Sequence, residues 1–349
     1  MTEKISYASA GVDIAAGEHA VRLMRDKLAR TRRPEVVDDE SGFAGLFALD
    51  VTRYRRPLLA TSTDGVGTKV VLAQRLDRHD TIGVDLVAMV VDDLVVSGAE
   101  PLFMTDYIAC GKVVPERIAT IVGGIADGCA QAGCTLIGGE TAEHPGVLGP
   151  EEYDLAGAGT GVVEADTVLG PKRVRPGDAV IAMASSGLHS NGFSLARLVV
   201  DKAGLDLAAD PGGLGRTLGE ELLTPTRVYA RDCLALGAEL DVHAFAHITG
   251  GGLAANLARS LPAGVDARLD RATWRPAPIF GLLAERGGVP RGEMESAFNM
   301  GVGMAALLPA GQADAALELL ADRGVPAWIL GETTEGTGEA HLTGDHARP

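Results

Sequence analysis

Residues 63–69 are Thr63-Asp64-Gly65-Val66-Gly67-Thr68-Lys69, a turn that carries one carboxylate, one amine and two glycines. Glycines allow a backbone to approach a bulky anion closely, and exposed N–H groups in such a turn donate to phosphate oxygens. Lys69 adds a positive charge, whereas Asp64 can face a phosphate only with a cation between them. The stretch therefore predicts a Mg-nucleotide site. It is not a Walker A loop, because the spacing G-x-x-x-x-G-K-[ST] occurs nowhere in the sequence.

Regular elements are predicted on both sides of this turn. The short apolar run 57–63 predicts a strand that leads into it, and an amphipathic helix is predicted upstream over residues 18–33. Downstream, the sequence predicts helices over 81–97 and 115–132 and strands over 102–109 and 135–137. The alternation of strands, glycine-rich turns and helices predicts an α/β fold.

A second set of the same elements begins after residue 177. Strands are predicted over 178–184 and 243–248, and each is followed by a polar or glycine-rich loop and a helix. Residues 170–177 are Gly-Pro-Lys-Arg-Val-Arg-Pro-Gly, a composition typical of a domain junction. We therefore expect one α/β domain over residues 1–170 and a second over residues 171–349.

The composition excludes several classes of partner. The chain has 349 residues, 46% of them hydrophobic, and a net charge of −16, so it can bury two cores but repels polyanions. We expect no binding to nucleic acid or to anionic membranes. The apolar region 82–102 is interrupted by four acidic residues, which argues against a membrane span.

The cysteines and the start of the chain predict a cytoplasmic protein. The four cysteines have no C-x-x-C pairing and no zinc-finger spacing, so reduced structural thiols are the interpretation we prefer. The first residues are charged and lack the apolar segment of a secretory signal.

The helix predicted over 81–97 carries three carboxylates. Asp85 and Asp92 are seven residues apart and share one face, whereas Asp93 points about a quarter-turn away. Carboxylates on a mostly apolar helix need a metal, a cation or backbone donors. One interpretation is Mg²⁺ coordination together with Asp64. The alternative is that these aspartates cap neighbouring loops or pair with arginines.

Two further regions offer polar groups for a ligand. Glu140, in the sequence Gly138-Gly139-Glu140-Thr141, is expected at the carboxyl end of a strand, where α/β folds place ligands; taken alone, an ordinary helix cap or turn is the better explanation of this motif. Residues 185–192 place Ser186, His189 and Asn191 in one strand-to-helix loop, which suits a ribose phosphate or another polar head group. The glycine-rich turn 247–252 adds Thr249 and Gly250, or it is simply a hinge.

Taken together, these motifs resemble those of the phosphoribosylformylglycinamidine cyclo-ligase family, the aminoimidazole ribonucleotide synthetases. The resemblance runs nearly from end to end, and its specificity comes from the order and spacing of the set. The matching segments are residues 10–13, 63–69, 82–89, 93–101, 138–143, 185–194, 223–227, 247–252 and 298–304.

The resemblance implies an architecture and a reaction. The fold is two α/β domains per chain, in which the N-terminal domains of two chains contribute strands to a β-barrel at a homodimer interface. The C-terminal domain packs beside this core and completes the active-site cleft. The implied reaction is ATP-dependent closure of formylglycinamidine ribonucleotide to aminoimidazole ribonucleotide, ADP and phosphate, in de novo purine synthesis.

The implied chemistry explains the residue types. A formamide carbonyl is a poor electrophile, and transfer of the γ-phosphoryl group to its oxygen makes an iminophosphate that the amidine attacks within the same molecule. The enzyme must then mainly position groups and neutralise phosphate charge. The implied cofactors are ATP and Mg²⁺.

Roles for particular residues follow from the same resemblance. Metal ligands are Asp64 and Asp93, supported by Glu140 and Asp92; relatives commonly carry Asn at the position of Asp92. The ATP-binding set is Asp13, Gly65, Val66, Gly67, Thr68, Lys69 and Glu140. The substrate-binding set is Ser186, His189, Asn191, Thr249 and Gly250. Lys69 and His189 are the expected catalytic residues, His189 as a proton carrier.

Two alternatives remain open from the sequence. The first is a sister enzyme with the same type of ATP site, such as thiamine-monophosphate kinase, selenophosphate synthetase or a hydrogenase-maturation protein. A selenophosphate synthetase would carry a reactive Cys near its N-terminus, whereas the first cysteine here is Cys110. The second is a non-catalytic nucleotide-binding protein, which would tolerate the loss of Asp64, Lys69 or Glu140.

Overall fold

The computed structural model describes residues 13–38 and 42–346, which form two α/β units. The first unit contains α1 (Ile14–Ala29), β1 (Val36–Val37), β2 (Leu46–Phe47), β3 (Pro57–Gly65), α2 (Val70–Leu76), α3 (Ile82–Val95), β4 (Glu100–Cys110), α4 (Pro115–Ala132), β5 (Thr135–Glu143) and β6 (Tyr153–Glu164). The segment 10–12 of the family motif lies outside the described residues.

The second unit contains β7 (Asp178–Ala184), α5 (Phe193–Ala203), α6 (Leu218–Leu222), α7 (Ala230–Glu239), β8 (Ala244–His247), α8 (Gly252–Ala258), β9 (Val265–Asp270), α9 (Pro278–Gly287), α10 (Arg291–Ala297), β10 (Val302–Pro309), α11 (Ala313–Asp322), β11 (Ala327–Glu335) and β12 (Ala340–Thr343). The predicted α/β fold class is thereby confirmed. The expected domain boundary at residues 170 and 171 falls between β6 and β7.

The main sheet of the first unit has the order β3-β6-β4-β5. Strand β6 pairs antiparallel with both β3 and β4, whereas β4 and β5 run parallel. Helices α3 and α4 pack together on one face, and α1 packs on α4. Thirteen of the fourteen residues of α3 are buried, because the helix lies between this sheet and the second unit.

The opposite face of this sheet is exposed to solvent over much of its area. Leu59 on β3 is 66% exposed and Tyr107 on β4 is 42% exposed. Phe47 of β2 packs on Phe103 at one end of the face, with ring centroids 5.3 Å apart. An exposed apolar sheet face of this kind is a candidate interaction surface.

The sheet of the second unit has the order β12-β9-β11-β7-β10-β8. Its neighbours are antiparallel except for the β12–β9 pair. One hydrophobic core continues from the first unit into the second, since Val66 and Leu72 belong to the same buried cluster as Met183 and Phe193. The two units are therefore joined by packed apolar contacts as well as by polar groups.

Most predicted elements are confirmed, and the exceptions have identifiable causes. The helix over 115–132 and the strand over 178–184 match the structure residue for residue. The first helix begins at Ile14 rather than Glu18, because Asp13 caps it by accepting the Ala16 N–H at 3.0 Å. Strand β5 continues to Glu143, since its parallel partner β4 extends as far as Cys110.

Two further observations bear on the expected environment of the protein. All four cysteines lie within the described residues and are buried and free of disulfide bonds. No helix in the described part of the chain has the length and apolar character needed to cross a membrane.

Candidate active site

The glycine-rich turn after β3 lies where the two units meet. Gly67–Lys69 forms a short 3₁₀ helix that leads directly into α2, and Gly67 adopts a left-handed φ of 70°. The Thr68 hydroxyl lies 3.1 Å from the hydroxyl of Ser194 in the second unit. Val66 is only 1% exposed and belongs to the hydrophobic core, so its side chain does not line an open phosphate site.

Lys69 is fully buried in an ion pair instead of facing an open cavity. Its Nζ lies 2.9 and 2.8 Å from the two oxygens of Asp85 on α3. The same ammonium donates to the carbonyl of His189 at 3.0 Å and to the carbonyl of Thr224 at 2.7 Å. Its three protons are therefore matched by three acceptors, and none is left for a phosphate oxygen in this conformation.

The acidic face of α3 holds the chain of the second unit. Asp85 Oδ1 accepts both the N–H and the hydroxyl of Thr226, at 2.7 and 2.6 Å. Two turns later, Asp92 accepts the Tyr229 N–H. Burial raises the pKa of Asp92 to about 7. For this pair the loop-capping interpretation fits, and the structure does not bring Asp92 to a metal site.

Asp64 and Asp93 form a separate acidic group at the edge of the interface between the two units. Burial raises the pKa of Asp64, and the charge of Asp93 raises it further. The hydrogen bond from the Gly65 amide and the charge of His247 lower it, but by less. Asp93 is 46% exposed at its side chain and lies 2.9 Å from His247 Nδ1. A like charge whose effect reaches Asp64 favours a bound cation beside the two carboxylates.

His247 is a candidate site residue that the sequence interpretation did not single out. Its side chain is 2% exposed, and Nε2 is buried without a hydrogen-bond partner among the described residues. Burial works to lower the pKa of His247, but Asp93, Asp92 and Asp64 together raise it. A histidine at the end of a strand just before a glycine-rich turn was the available signal, and the sequence could not show that Asp93 would lie beside it.

A polar cavity of about 340 Å³ opens beside this group, between β3, α3 and the second unit. Ser62, Asp93 and His247 line it together with Arg259 from the segment after α8. The cavity therefore combines one carboxylate, one imidazole and one guanidinium, which suits a polar ligand that carries a phosphate group.

Glu140 does not join this acidic group within one chain. The strand register aligns Asp64, Gly157, Asp106 and Gly139 in one row across the sheet, so Glu140 belongs to the next row and faces the other side. Three strand spacings separate Asp64 from Glu140, about 14 Å. Among the described residues, no three His, Cys, Asp or Glu side chains are placed to hold a metal together. The four expected metal ligands are thus divided among three places.

Glu140 borders a second cavity, of about 490 Å³, under α1. The lining is mainly apolar and includes Ile14, Met24 and Val122. Asp106, on β4, also lines it and is only 9% exposed, and no other described residue donates a hydrogen bond to its side chain. Burial raises the pKa of Asp106 to about 7.

Asp106 was also missed by the sequence interpretation. A carboxylate within a predicted strand was the only signal, and it carried no indication of the cavity. A β-carbon at Gly139 would lie 1.8 Å from Asp106 Oδ1, so any other residue there would have to displace the Asp106 carboxyl group. Asp13, expected at the nucleotide, caps α1 nearby, and its N–H donates to Glu143 at 2.7 Å.

Hydrogen bonds hold the loop 185–192 to its surroundings, and His189 makes two of them. His189 is 1% exposed and adopts a left-handed φ of 63°. Its Nε2 accepts the Ser186 N–H at 3.1 Å, while Nδ1 is buried without a partner in the described part of the chain. Burial lowers the pKa of His189 well below its usual range. The ring therefore shapes the loop and does not face either cavity.

The other candidate substrate-binding residues lie on two loops of the second unit, close to its interface with the first. Ser186 is exposed and donates its hydroxyl to the carbonyl of Pro225. A β-carbon on Gly250 would lie 3.6 Å from Asn191 Oδ1, so the two loops are neighbours. The Thr249 hydroxyl is directed at Asn256 Oδ1, 3.4 Å away. The structure thus brings Asn191 and Gly250 together and leaves Thr249 in a local turn.

Two family models match this chain. The N-terminal domain of AIR synthase related proteins matches residues 50–163, and the C-terminal domain of the same proteins matches residues 175–343. Phosphoribosylformylglycinamidine cyclo-ligase from Geobacillus kaustophilus (strain HTA426) is 50% identical over 345 residues, covering 98% of this chain and 99% of the relative. The chain belongs to the phosphoribosylformylglycinamidine cyclo-ligase family. The relative of that name from Anaeromyxobacter sp. (strain Fw109-5) is 53% identical, covering 96% and 98% of the two chains.

Solved structures of other proteins share the fold of this cyclo-ligase family member. Thiamine-monophosphate kinase from Stenotrophomonas maltophilia K279a aligns with a TM-score of 0.67 at 22% identity, covering 93% of this chain and 96% of that one. The hydrogenase maturation protein HypE from E. coli aligns at 0.66 with 18% identity, covering 94% of each. At these identities the likeness shows the fold alone. Two of the sister families considered from the sequence, the thiamine-monophosphate kinases and the hydrogenase-maturation proteins, therefore share the scaffold, while the relatives that are about 50% identical are cyclo-ligases.

Proposed function

We propose that this chain catalyses the ATP-dependent closure of formylglycinamidine ribonucleotide to aminoimidazole ribonucleotide, with release of ADP and phosphate. The proposal is supported by membership of the cyclo-ligase family over nearly the whole chain. The single structural observation that carries it is the Asp93 carboxylate, which lines a polar cavity between the two units and whose charge acts on the neighbouring Asp64. Phosphoryl transfer needs positive charge that neutralises and orients the phosphates, and carboxylates at such a place can hold a cation that supplies it.

The carboxylate pair fits a magnesium ion. Mg²⁺ in phosphoryl-transfer sites is commonly bound by one or two carboxylates together with substrate phosphates. Asp64 and Asp93 supply hard oxygen ligands, and a cation there would relieve the repulsion that raises the pKa of Asp64. Asp93 is oriented by its contact with His247 Nδ1. Asp64 and Asp93 would hold the ion, which would supply positive charge for the triphosphate, and the other residues of the site would position the substrate.

The nucleoside part of ATP is proposed to bind in the cavity under α1. Its volume and apolar lining suit a purine base, and Asp106 offers an acceptor for an exocyclic amino group. The strand at Glu140 borders this cavity, although its register turns the Glu140 side chain to the opposite face of the sheet, and Asp13 lies at the start of the helix that covers the cavity. We keep Asp13, Glu140 and the Gly65–Gly67 backbone as candidate nucleotide contacts and add Asp106 to them.

The substrate is proposed to lie in the polar cavity between the units. Arg259 supplies a positive charge for the ribonucleotide phosphate, and Asn191 and Gly250 lie on adjacent loops of the second unit. Ser186 and Thr249 remain candidates on the same loops. We do not assign proton transfer to His189, because its ring is enclosed by protein and holds the Ser186 N–H.

A homodimer is proposed on the basis of the exposed sheet face. Leu59 and Tyr107 lie on this face, and Glu140 faces the same side. A second copy that covers the face would bury the apolar side chains and enclose Glu140. A cytoplasmic location is consistent with four free, buried cysteines.

The decisive experiment is an assay of the purified protein with ATP, Mg²⁺ and formylglycinamidine ribonucleotide. We expect aminoimidazole ribonucleotide and phosphate in equal amounts, with no product when any component is omitted. Asp64→Asn should lower turnover by roughly 100-fold or more, whereas Asp322→Asn, at an exposed position on α11, should not change it. ATP hydrolysis without ring closure would favour a sister activity. ATP binding without turnover would favour the non-catalytic alternative.

A further inference from the structure

Lys69 joins three segments of the chain at the centre of the interface between the two units. Its acceptors are Asp85 from the first unit and the carbonyls of His189 and Thr224 from the second. Asp85 in turn accepts two hydrogen bonds from Thr226. The network is completely enclosed, since the side chains of Lys69 and Asp85 are both 0% exposed.

A buried ion pair of this kind is weak evidence for stability. Removing two charges from water is costly, and well-packed apolar residues of similar volume are often equally stabilising. Every proton of the ammonium is nevertheless matched with an acceptor, and two of the acceptors are backbone carbonyls of loops in the other unit. Such an arrangement fixes the position of those loops more specifically than apolar packing would.

The two loops held by Lys69 carry candidate substrate groups. His189 has a left-handed backbone, which a β-carbon makes unfavourable, and its carbonyl is fixed by the ammonium. The His189 ring then holds the Ser186 N–H, and Asn191 follows two residues later. The Ser186 hydroxyl donates to the carbonyl of Pro225, which directly follows Thr224. Movement of the ammonium would therefore displace Ser186 and Asn191 together.

We propose that Lys69 is a positioning residue for the ribonucleotide substrate, which acts through the loops 185–192 and 224–226 and makes no contact with the phosphates of ATP. The inference rests on the proposed function for the identity of the substrate. It replaces the role of phosphate ligand that the sequence predicted for this lysine.

The variants must separate positioning from simple loss of folding. Lys69→Met removes the ammonium and leaves the Asp85 carboxylate buried and uncompensated, so a marked loss of thermal stability is expected. Lys69→Met combined with Asp85→Asn removes both charges and keeps an acceptor for Thr226. We expect the double variant to have a higher Tm than Lys69→Met. Lys202→Met, an exposed lysine on α5, is the matched control.

Two quantities are measured for each variant. One is the dissociation constant of a non-hydrolysable ATP analogue, and the other is the set of steady-state constants for formylglycinamidine ribonucleotide. For the double variant, we expect kcat/KM for the ribonucleotide to fall about tenfold or more, since misplaced substrate groups are costly. The affinity for the ATP analogue should stay within about twofold of the wild-type value. Lys202→Met should match the wild type in both.

Other results would overturn the proposal. A loss of affinity for the ATP analogue in the double variant would restore Lys69 as a phosphate ligand, and unchanged constants for both ligands would leave it without a functional role. These outcomes differ from failure of the proposed function itself, which would appear as a wild-type protein that makes no aminoimidazole ribonucleotide.

Discussion

Asp92 accepts the backbone N–H of Tyr229 with both oxygens of its carboxyl group, at 2.9 and 3.2 Å. The side chain is fully buried between α3 and the second unit. A carboxyl group in this position caps a backbone donor, as an amide side chain also would. We therefore expect the negative charge of Asp92, which an Asn at this position would lack, to destabilise the fold rather than to hold a metal ion.

The first prediction is that Asp92→Asn keeps activity and stabilises the protein above neutral pH. Burial raises the pKa of Asp92 from 3.8 to about 7. Between these values the native state holds a proton that the unfolded chain has lost, so stability falls as pH rises through this window. The amide has no such cost. We expect the Tm of Asp92→Asn to exceed that of the wild type by roughly 2–4 °C at pH values above 7.

Differential scanning calorimetry across the acidic and neutral range tests this prediction. The difference in Tm between variant and wild type should grow from about pH 4 to about pH 7 and then level off. Asp322→Asn, at an exposed position, should show no such trend. If Asp92→Asn folds but has lost its Mg²⁺-dependent turnover, the prediction is contradicted and Asp92 is a metal ligand after all.

The second prediction concerns Asp64→Asn. This change removes one of the two carboxylates proposed to hold Mg²⁺, so we expect ring closure to fall by roughly 100-fold or more. The fold should be unaffected or slightly more stable, because Asp64 is partly buried and close to the charge of Asp93. The measurement is the rate of product formation over a range of Mg²⁺ concentrations. An unchanged rate with unchanged Mg²⁺ dependence would contradict the proposed ion site.

The fold was largely predictable from local sequence. Gly133 closes α4 with a left-handed φ of 81°, and the proline at its start marks the other end, so this helix was placed correctly. The end of β5 was not predictable in this way. Gly138 and Gly139 suggest a turn locally, but pairing with β4 keeps them in the strand and Asp106 occupies the space above Gly139.

The site was less predictable, because its contacts join distant segments. Asp64 and Lys69 are five residues apart, yet one lies beside Asp93 and the other is enclosed with Asp85. The choice between metal binding and loop capping for α3 depended on the position of residues 224–229, which no local pattern encodes. The strand register, in turn, separates Asp64 from Glu140.

The third prediction is that Asp106 contributes to nucleotide affinity. Asp106 lines the cavity under α1 and receives no hydrogen bond from another described residue, so its carboxyl group is costly to bury without a ligand. We expect Asp106→Ala to weaken binding of an ATP analogue about tenfold while Tm is kept or raised. Asp106→Asn, which retains an acceptor oxygen, should bind more tightly than Asp106→Ala. The affinities are measured by titration calorimetry. Equal affinities for the wild type, Asp106→Ala and Asp106→Asn would contradict the proposal that the nucleoside binds in this cavity.

The fourth prediction concerns the exposed face of the first sheet. Leu59 is 66% exposed on the edge strand β3, on the same face of the sheet as the exposed Tyr107, so a charge there should prevent a second copy from covering the face. We expect the wild type to sediment as a dimer and Leu59→Arg as a folded monomer. Leu198→Arg is the matched control, since Leu198 is 48% exposed on α5 in the other unit. Because Glu140 faces the same side of the sheet, the monomer should also lose ring closure. A dimeric Leu59→Arg protein, or a monomer with full activity, would show that this face is not the functional interface.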